Sequence, residues 1–306
     1  MEAYHIHPDF LKYKGVKPPM NAAMLPVVNF ALRRVTNRMA PPAGLAKKTH
    51  RIHGYQNGAI TLDVFEPDDA MNGSPCLVYF HGGAFAMKAA PHHLHLAHKY
   101  ALETPCKVVF VDYRTLPSHP FPVGIEDAYA AYEWVLRHAN MLGIDPTRIA
   151  VGGDSAGGTI VAAICLMIRD RKALLPCFQM LIYPATDVRQ NTESMKKFTD
   201  TPMWNSMLNA KLWKMYLRNG IGEKPEYASP ALADTLRGMP PAYIEVAEYD
   251  CLRDEGVALA NTLKRDGVFV EMYEPKQTIH GYEIAWQNEI VAESVRRRIA
   301  ALKAHI

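Results

Sequence analysis

The 306-residue chain has no apolar run approaching the length of a membrane-spanning helix. Its first residues, Met1-Glu2-Ala3-Tyr4-His5, lack the basic start and apolar core of a secretory signal. The five cysteines are odd in number, sit mostly in apolar runs and form no Cys-x-x-Cys pair. This argues against a disulfide framework and the usual zinc spacings, and reads as small buried hydrophobes in a reducing compartment. An excess of one charge is missing too. The 34 basic and 31 acidic residues leave only +3, with the basic ones read as scattered. Nothing here resembles the electrostatic footprint of a nucleic-acid binder. Repeats and low-complexity tracts are also lacking. The expectation is a cytoplasmic protein with neither nucleic acid nor membrane as partner.

What is present is ordinary globular material, 49% hydrophobic and 21% charged. From about residue 50 onward, strand-like and helix-like runs alternate. The candidate strands are His50–Tyr55, Ile60–Glu66, Cys76–Phe80, Val108–Tyr113, Arg148–Val151, Phe178–Tyr183, Ala242–Ala247 and Val268–Tyr273. The inner ones are continuously apolar, as in a parallel sheet covered on both faces. Gln56-Asn57-Gly58 is a hairpin turn signal, so the sheet should open with an antiparallel pair. Helices are expected over His92–Glu103, Gly124–Asn140, Ala156–Arg171, Leu252–Arg265 and Glu283–Lys303. The alternation predicts a doubly wound α/β domain that binds its ligand at the carboxyl ends of the strands.

Two segments break the rhythm. Residues 1–48 are rich in proline and methionine around one helix-like piece, Ala22–Met39. Residues 188–238 carry an apolar and aromatic set that includes Met203, Trp204, Met207, Leu212 and Trp213. Such a set is either ordinary helix core or a cap supplying an adaptable apolar pocket. The remaining division is 49–187 with 239–306 as the sheet domain.

Within the sheet domain, Gly153-Asp154-Ser155-Ala156-Gly157 fits Gly-x-Ser-x-Gly between a strand and a helix. A serine on that turn is held in a strained conformation and projects at a helix N-terminus, where developing negative charge is favoured. A hydroxyl needs a base to become a nucleophile, and the base needs an orienting acid. His280 lies just beyond the last strand candidate and Asp250 at the end of the one before. Asp254 and Glu255 fall inside the next helix, where acids suit the dipole alone. His81-Gly82-Gly83-Ala84 follows the third strand, and Gly82, Gly83 and Ala156 could offer three backbone N–H groups to an oxyanion. His92, His93, His95 and His98 share helix faces but have no carboxylate in register before Glu103, so a solvated or partly capped helix is expected, without metal.

Taken in order, His81-Gly82-Gly83-Ala84, Asp112-Tyr113-Arg114 with Pro120-Phe121-Pro122, Gly152 to Gly158, Tyr183-Pro184-Ala185-Thr186-Asp187, Asp250 to Gly256 and His280-Gly281-Tyr282 resemble the bacterial hormone-sensitive-lipase-like esterases. The resemblance spans about residues 50–300. It implies an α/β-hydrolase fold, with a mostly parallel eight-stranded sheet flanked by helices under a helical cap. It also implies a Ser155, Asp250, His280 triad, the hydrolysis of short to medium acyl esters without a cofactor, and in many members dimerisation through the last strand. Ala84 stands where a third glycine is common, which should narrow the acyl side. Cys251 and Glu248 replace a common proline and glycine beside Asp250. The expected pocket residues are Ala84, Asp154, Met203, Trp204, Met207 and Tyr282. Two other readings are a receptor-like binding module, which would be expected to have lost His280, and an amidase or peptidase using the same triad.

Overall fold

The computed structural model describes residues 4–306. Eight strands form one sheet: β1 (Leu45–His53), β2 (Ala59–Pro67), β3 (Ser74–Phe80), β4 (Lys107–Asp112), β5 (Ile144–Asp154), β6 (Phe178–Ile182), β7 (Ala242–Glu245) and β8 (Val270–Tyr273). Their order is β1-β2-β4-β3-β5-β6-β7-β8. β1 runs antiparallel to β2, and β2 antiparallel to β4, while every later pair is parallel.

The sheet is buried on both faces because its strands alternate between two apolar layers. In β3, Cys76, Val78 and Phe80 join one core cluster, and Leu77 and Tyr79 join the other. The first layer is covered by the helices Val123–Arg137, Ala156–Asp170 and Arg253–Arg265, through residues such as Tyr132, Ile164 and Leu263. The second is covered by Pro91–Glu103 and Glu289–His305, through Leu94, Tyr100, Val295 and Leu302. The chain leaves β3 outward to β4, then returns across it to β5. The turns after β3 and β5 therefore border the crevice where the strand order reverses, the usual ligand position in such sheets.

Several boundaries moved for physical reasons. β1 begins at Leu45 rather than His50, because its polar start is held in register with β2 by ion pairs. These pairs are Lys47 with Asp63 and Lys48 with Glu66. β8 starts at Val270 and not Val268. The predicted Gly124–Asn140 helix ends at Arg137, and a separate turn of helix follows over Ala139–Leu142. The last helix starts at Glu289, where the Asn288 side chain accepts the Ile290 N–H at 2.8 Å. Residues 282–285 instead form a short 3-10 turn. The Pro91–Glu103 helix is partly capped, His93 Nδ1 accepting the Ala90 N–H, but it is not solvated on the side of His93 and His98, which are buried.

Among the described residues, positions up to 48 contribute two helices, Pro8–Leu11 and Leu25–Thr36, and the start of β1, and residues 188–238 contribute three short helices, Glu193–Lys197, Ser206–Tyr216 and Pro225–Ala228. Most of the second segment's apolar set is core, with Leu208, Leu212, Trp213 and Tyr216 buried. Trp204 and Met203 have a different surrounding, described next.

Candidate active site

β5 ends at Asp154, a helix begins at Ala156, and Ser155 between them has φ 53° and ψ −120°. That conformation is unfavourable for a residue with a side chain, and the surrounding packing enforces it. The Ser155 N–H donates to the Ile182 carbonyl at 2.8 Å. A β-carbon added to Gly157 would sit 1.9 Å from the Phe80 carbonyl oxygen, and one on Gly153 2.5 Å from the Gly157 backbone. The glycines flanking the serine are therefore demanded by close backbone approach, Gly157 to the end of β3 and Gly153 to Gly157.

The Ser155 hydroxyl lies 2.9 Å from His280 Nε2, and His280 Nδ1 lies 2.6 Å from Asp250 Oδ2. The second Asp250 oxygen accepts the Leu252 N–H at 3.0 Å. Asp250 is fully buried, whereas Ser155 and His280 are 9% and 7% exposed, enough to reach the cavity above them. An isolated parallel bridge pairs Tyr249 with Ile279, the residues just before Asp250 and His280. The Tyr249 N–H donates to the Thr278 carbonyl at 2.9 Å. Acid and imidazole are thus carried by two loops stitched together one residue upstream of each. A carboxylate can only accept, so Nδ1 holds the proton facing Asp250 and Nε2 is left to accept from the serine hydroxyl.

After β3, Gly83 has φ 112°, and Ala84 and Phe85 have φ 56° and 52°. A left-handed Ala84 explains why glycine suits that position: the methyl costs backbone strain as well as space. The turn is held from several sides. Asn29 donates to the Ala86 carbonyl and accepts the Lys88 N–H, both at 2.8 Å, tying the Leu25–Thr36 helix to it. Lys88 Nζ pairs with Asp112 at 2.6 Å. His81 is fully buried, stacked between Phe110 and Tyr113, and burial lowers it to about 4, so the ring stays neutral.

Asp154 is buried beside Ser155. Tyr79 donates to one of its oxygens at 2.7 Å, and His93 Nε2 lies 3.2 Å from the other. His93 Nδ1 accepts the Ala90 N–H at 2.9 Å, which leaves the proton on Nε2, facing the carboxylate. Burial pushes the Asp154 carboxyl up, but the His93 and Tyr79 interactions outweigh it and hold the group well below the usual carboxylate range. Among the described residues, no group of three or more His, Cys, Asp or Glu side chains could hold a metal ion.

Ser155 and His280 open into a mostly apolar cavity of about 630 Å³. Gly83, Ala84 and Asp154 line it from the strand ends, and Met203 and Trp204 from the 188–238 segment. Two expected pocket residues do not line it. Met207 is 65% exposed, because its helix turns Leu208 and Leu212 inward instead. Tyr282 is fully buried, its hydroxyl bonded to Glu245 beneath the Arg298 guanidinium. Sequence reasoning missed Val28 and Leu32 of the Leu25–Thr36 helix, His92, Trp286 and Tyr183. Tyr183 was within reach: it directly follows β6 and opens the Tyr183-Pro184-Ala185-Thr186-Asp187 motif. Its ring centre lies 4.6 Å from that of His280 and its hydroxyl donates to Glu283.

A family model described as alpha/beta hydrolase fold matches residues 77–284. Esterase LipI of Mycobacterium tuberculosis (strain ATCC 25618 / H37Rv) is 38% identical, with 78% of this chain and 74% of the relative aligned. Carboxylesterase NlhH of Mycobacterium tuberculosis (strain CDC 1551 / Oshkosh) is 36% identical, with 90% and 89% aligned. Among solved structures, a bacterial heroin esterase superposes with a TM-score of 0.89 at 31% identity, covering 98% of both chains. By sequence and by architecture the chain belongs to the alpha/beta hydrolase fold family.

Proposed function

We propose that this protein is a carboxylic ester hydrolase that works through an acyl-enzyme on Ser155. The observation that carries the reading is the continuous hydrogen-bond chain from Asp250 through His280 to Ser155, ending at an apolar cavity. Relatives named as esterases at 36–38% identity support the same class.

His280 Nε2 takes the hydroxyl proton as Oγ attacks the ester carbonyl, and Asp250 holds the imidazole in the required tautomer and stabilises the imidazolium. The carbonyl oxygen becomes an oxyanion facing the backbone N–H groups of Gly82, Gly83 and Ala156, at the amino end of the Ala156–Asp170 helix. The proton on Nε2 then passes to the departing alcohol. Water, deprotonated by the same nitrogen, attacks the acyl-enzyme, and collapse of the second tetrahedral species releases the acid and restores Ser155. The Ala84 methyl beside the serine favours short to medium acyl chains. No cofactor is required by any of these steps.

The test is a series of p-nitrophenyl esters from acetate to palmitate, with wild type and Ser155→Ala. Hydrolysis should favour the short chains and fall on the order of a million-fold in kcat in the variant. Equal turnover by Ser155→Ala removes the mechanism. A maximum at palmitate removes the acyl-size argument from Ala84.

A further inference from the structure

We propose that the outer face of the N-terminal segment docks the protein onto an anionic lipid surface, with the mouth of the cavity turned toward it. The basic residues are not scattered here as the overall composition suggested. Residues 10–48 hold eight lysines and arginines and no aspartate or glutamate. Lys12 is paired with Asp9 and Arg33 with Asp112, while Lys47 and Lys48 pair across the first two strands. Lys14, Lys17, Arg34 and Arg38 are exposed and have no carboxylate partner among the described residues.

The same stretch concentrates exposed apolar side chains. Of the thirteen large hydrophobics exposed among the described residues, six lie between Leu11 and Val35. On the Leu25–Thr36 helix, Val28 and Leu32 point into the cavity, whereas Val27 and Phe30 are 70% and 67% exposed on the opposite side. Met24, one turn before Val27 and Val28, is also exposed. Arg34 and Arg38 continue this outward face toward and beyond the helix carboxyl end. A helix with apolar groups flanked by arginines on its free face is the arrangement that lies in a lipid interface. The face runs into the cavity mouth, where Val16, Lys17 and Trp286 are at once cavity-lining and exposed. Tryptophan suits the headgroup level, with its ring partly in apolar material.

Charge decides between occupants. A second copy related by a twofold axis would bring four unpaired cations against the same four, a like-charge juxtaposition that costs affinity. An anionic bilayer attracts each of them and accepts the apolar side chains without needing a complementary shape. It would also leave the mouth facing a store of acyl esters, a point that rests on the hydrolase reading; the charge argument does not.

The experiment is cosedimentation of the full chain with vesicles of phosphatidylcholine alone or in an equimolar mixture with phosphatidylglycerol. Each is run at low and high salt, with gel filtration and p-nitrophenyl acetate hydrolysis measured alongside. Wild type should partition onto the mixed vesicles at low salt, weakly onto phosphatidylcholine, and release at high salt. Val27→Glu with Phe30→Glu, and separately Arg34→Glu with Arg38→Glu, should each lower partition by about tenfold or more. Their hydrolysis of the soluble ester should be unchanged, because none of the four lines the cavity. Partition is read without turnover, so it fails or succeeds separately from the hydrolase reading. No binding of wild type to the mixed vesicles overturns the proposal, and so does equal partition by both double variants. A dimer in gel filtration that is dissolved by Val27→Glu with Phe30→Glu assigns the face to a second copy instead.

Discussion

Two clusters of buried polar side chains meet beneath the cavity, and they are wired differently. In one, Asp250, His280 and Ser155 form a single file with one bond between neighbours, and its last two members touch the cavity. In the other, Arg298 is fully buried and pairs with both Glu245 and Glu283, while Tyr282, Tyr243 and Tyr183 crowd the same two carboxylates. Burial pushes the Glu283 carboxyl up, although the Arg298 charge opposes it. Tyr183 joins the two, bonded to Glu283 and packed on the His280 ring. The first cluster has an end that can act on something outside the protein. The second, apart from the Tyr183 ring that reaches the cavity, closes on itself, and its product is a rigid floor under the β6–β8 loops.

Substitutions can break or sharpen this contrast. The largest effect is expected from Asp250→Asn, which keeps shape but permits the wrong imidazole tautomer. It should cut kcat by roughly ten-thousand-fold with thermal stability close to wild type, measured by ester turnover and melting. Arg298→Met should do the opposite. It strands two buried carboxylates, and denaturant unfolding should report a loss of about 3–5 kcal/mol, while kcat per folded molecule stays within about tenfold of wild type. A kcat collapse in Arg298→Met comparable to that of Asp250→Asn would erase the distinction, and would make the second cluster part of the positioning of His280.

The smallest effect concerns the buried imidazoles. His98 packs edge-on against Phe65, its Nε2 has no partner among the described residues, and burial lowers it to about 4 from 6.5. Between those two values the unfolded chain binds a proton that the folded protein refuses. The stability associated with the neutral ring is therefore complete above about pH 6.5 and lost as pH falls to about 4. His81, also lowered to about 4, acts in the same direction. His98→Leu should give a shallower decline of melting temperature across that window, with ester hydrolysis at neutral pH unchanged. An identical decline would mean that other groups set the acid limit.

Much of the site was readable because it sits on strand ends. Ser155, Asp250, His280 and the His81–Ala84 turn each follow a candidate strand, and turn chemistry acts over a few residues. Met203 and Met207 show where such reading stops. Both belong to one apolar set at helical spacing, yet Met203 lines the cavity and Met207 faces water. The spacing suggests one continuous helix, but Met203 lies in the loop before Ser206–Tyr216 with a left-handed φ of 64°, and only Met207 is on the helix, whose seating turns it to water. Tyr282 makes the same point for polar atoms. Its place beside His280 suggested a pocket residue, but its hydroxyl is claimed by Glu245, 37 residues upstream. The basic, acid-free stretch at residues 10–48 was visible in the sequence and was lost by averaging charge over the whole chain.

By itself, then, the amino-acid order determined the alternating layers, the antiparallel start of the sheet, and the strand-to-helix turn that strains Ser155. These follow from periodicity and from the Gly-x-Ser-x-Gly spacing between strand and helix, both legible within a few neighbouring residues. Only the tertiary structure decided which histidine nitrogen faces which oxygen, that His93 is committed to Asp154, and that Arg298 holds Glu245 and Glu283 together. Most buried polar atoms find a partner wherever folding brings one, 61 residues away for His93, and no local spacing encodes that distance.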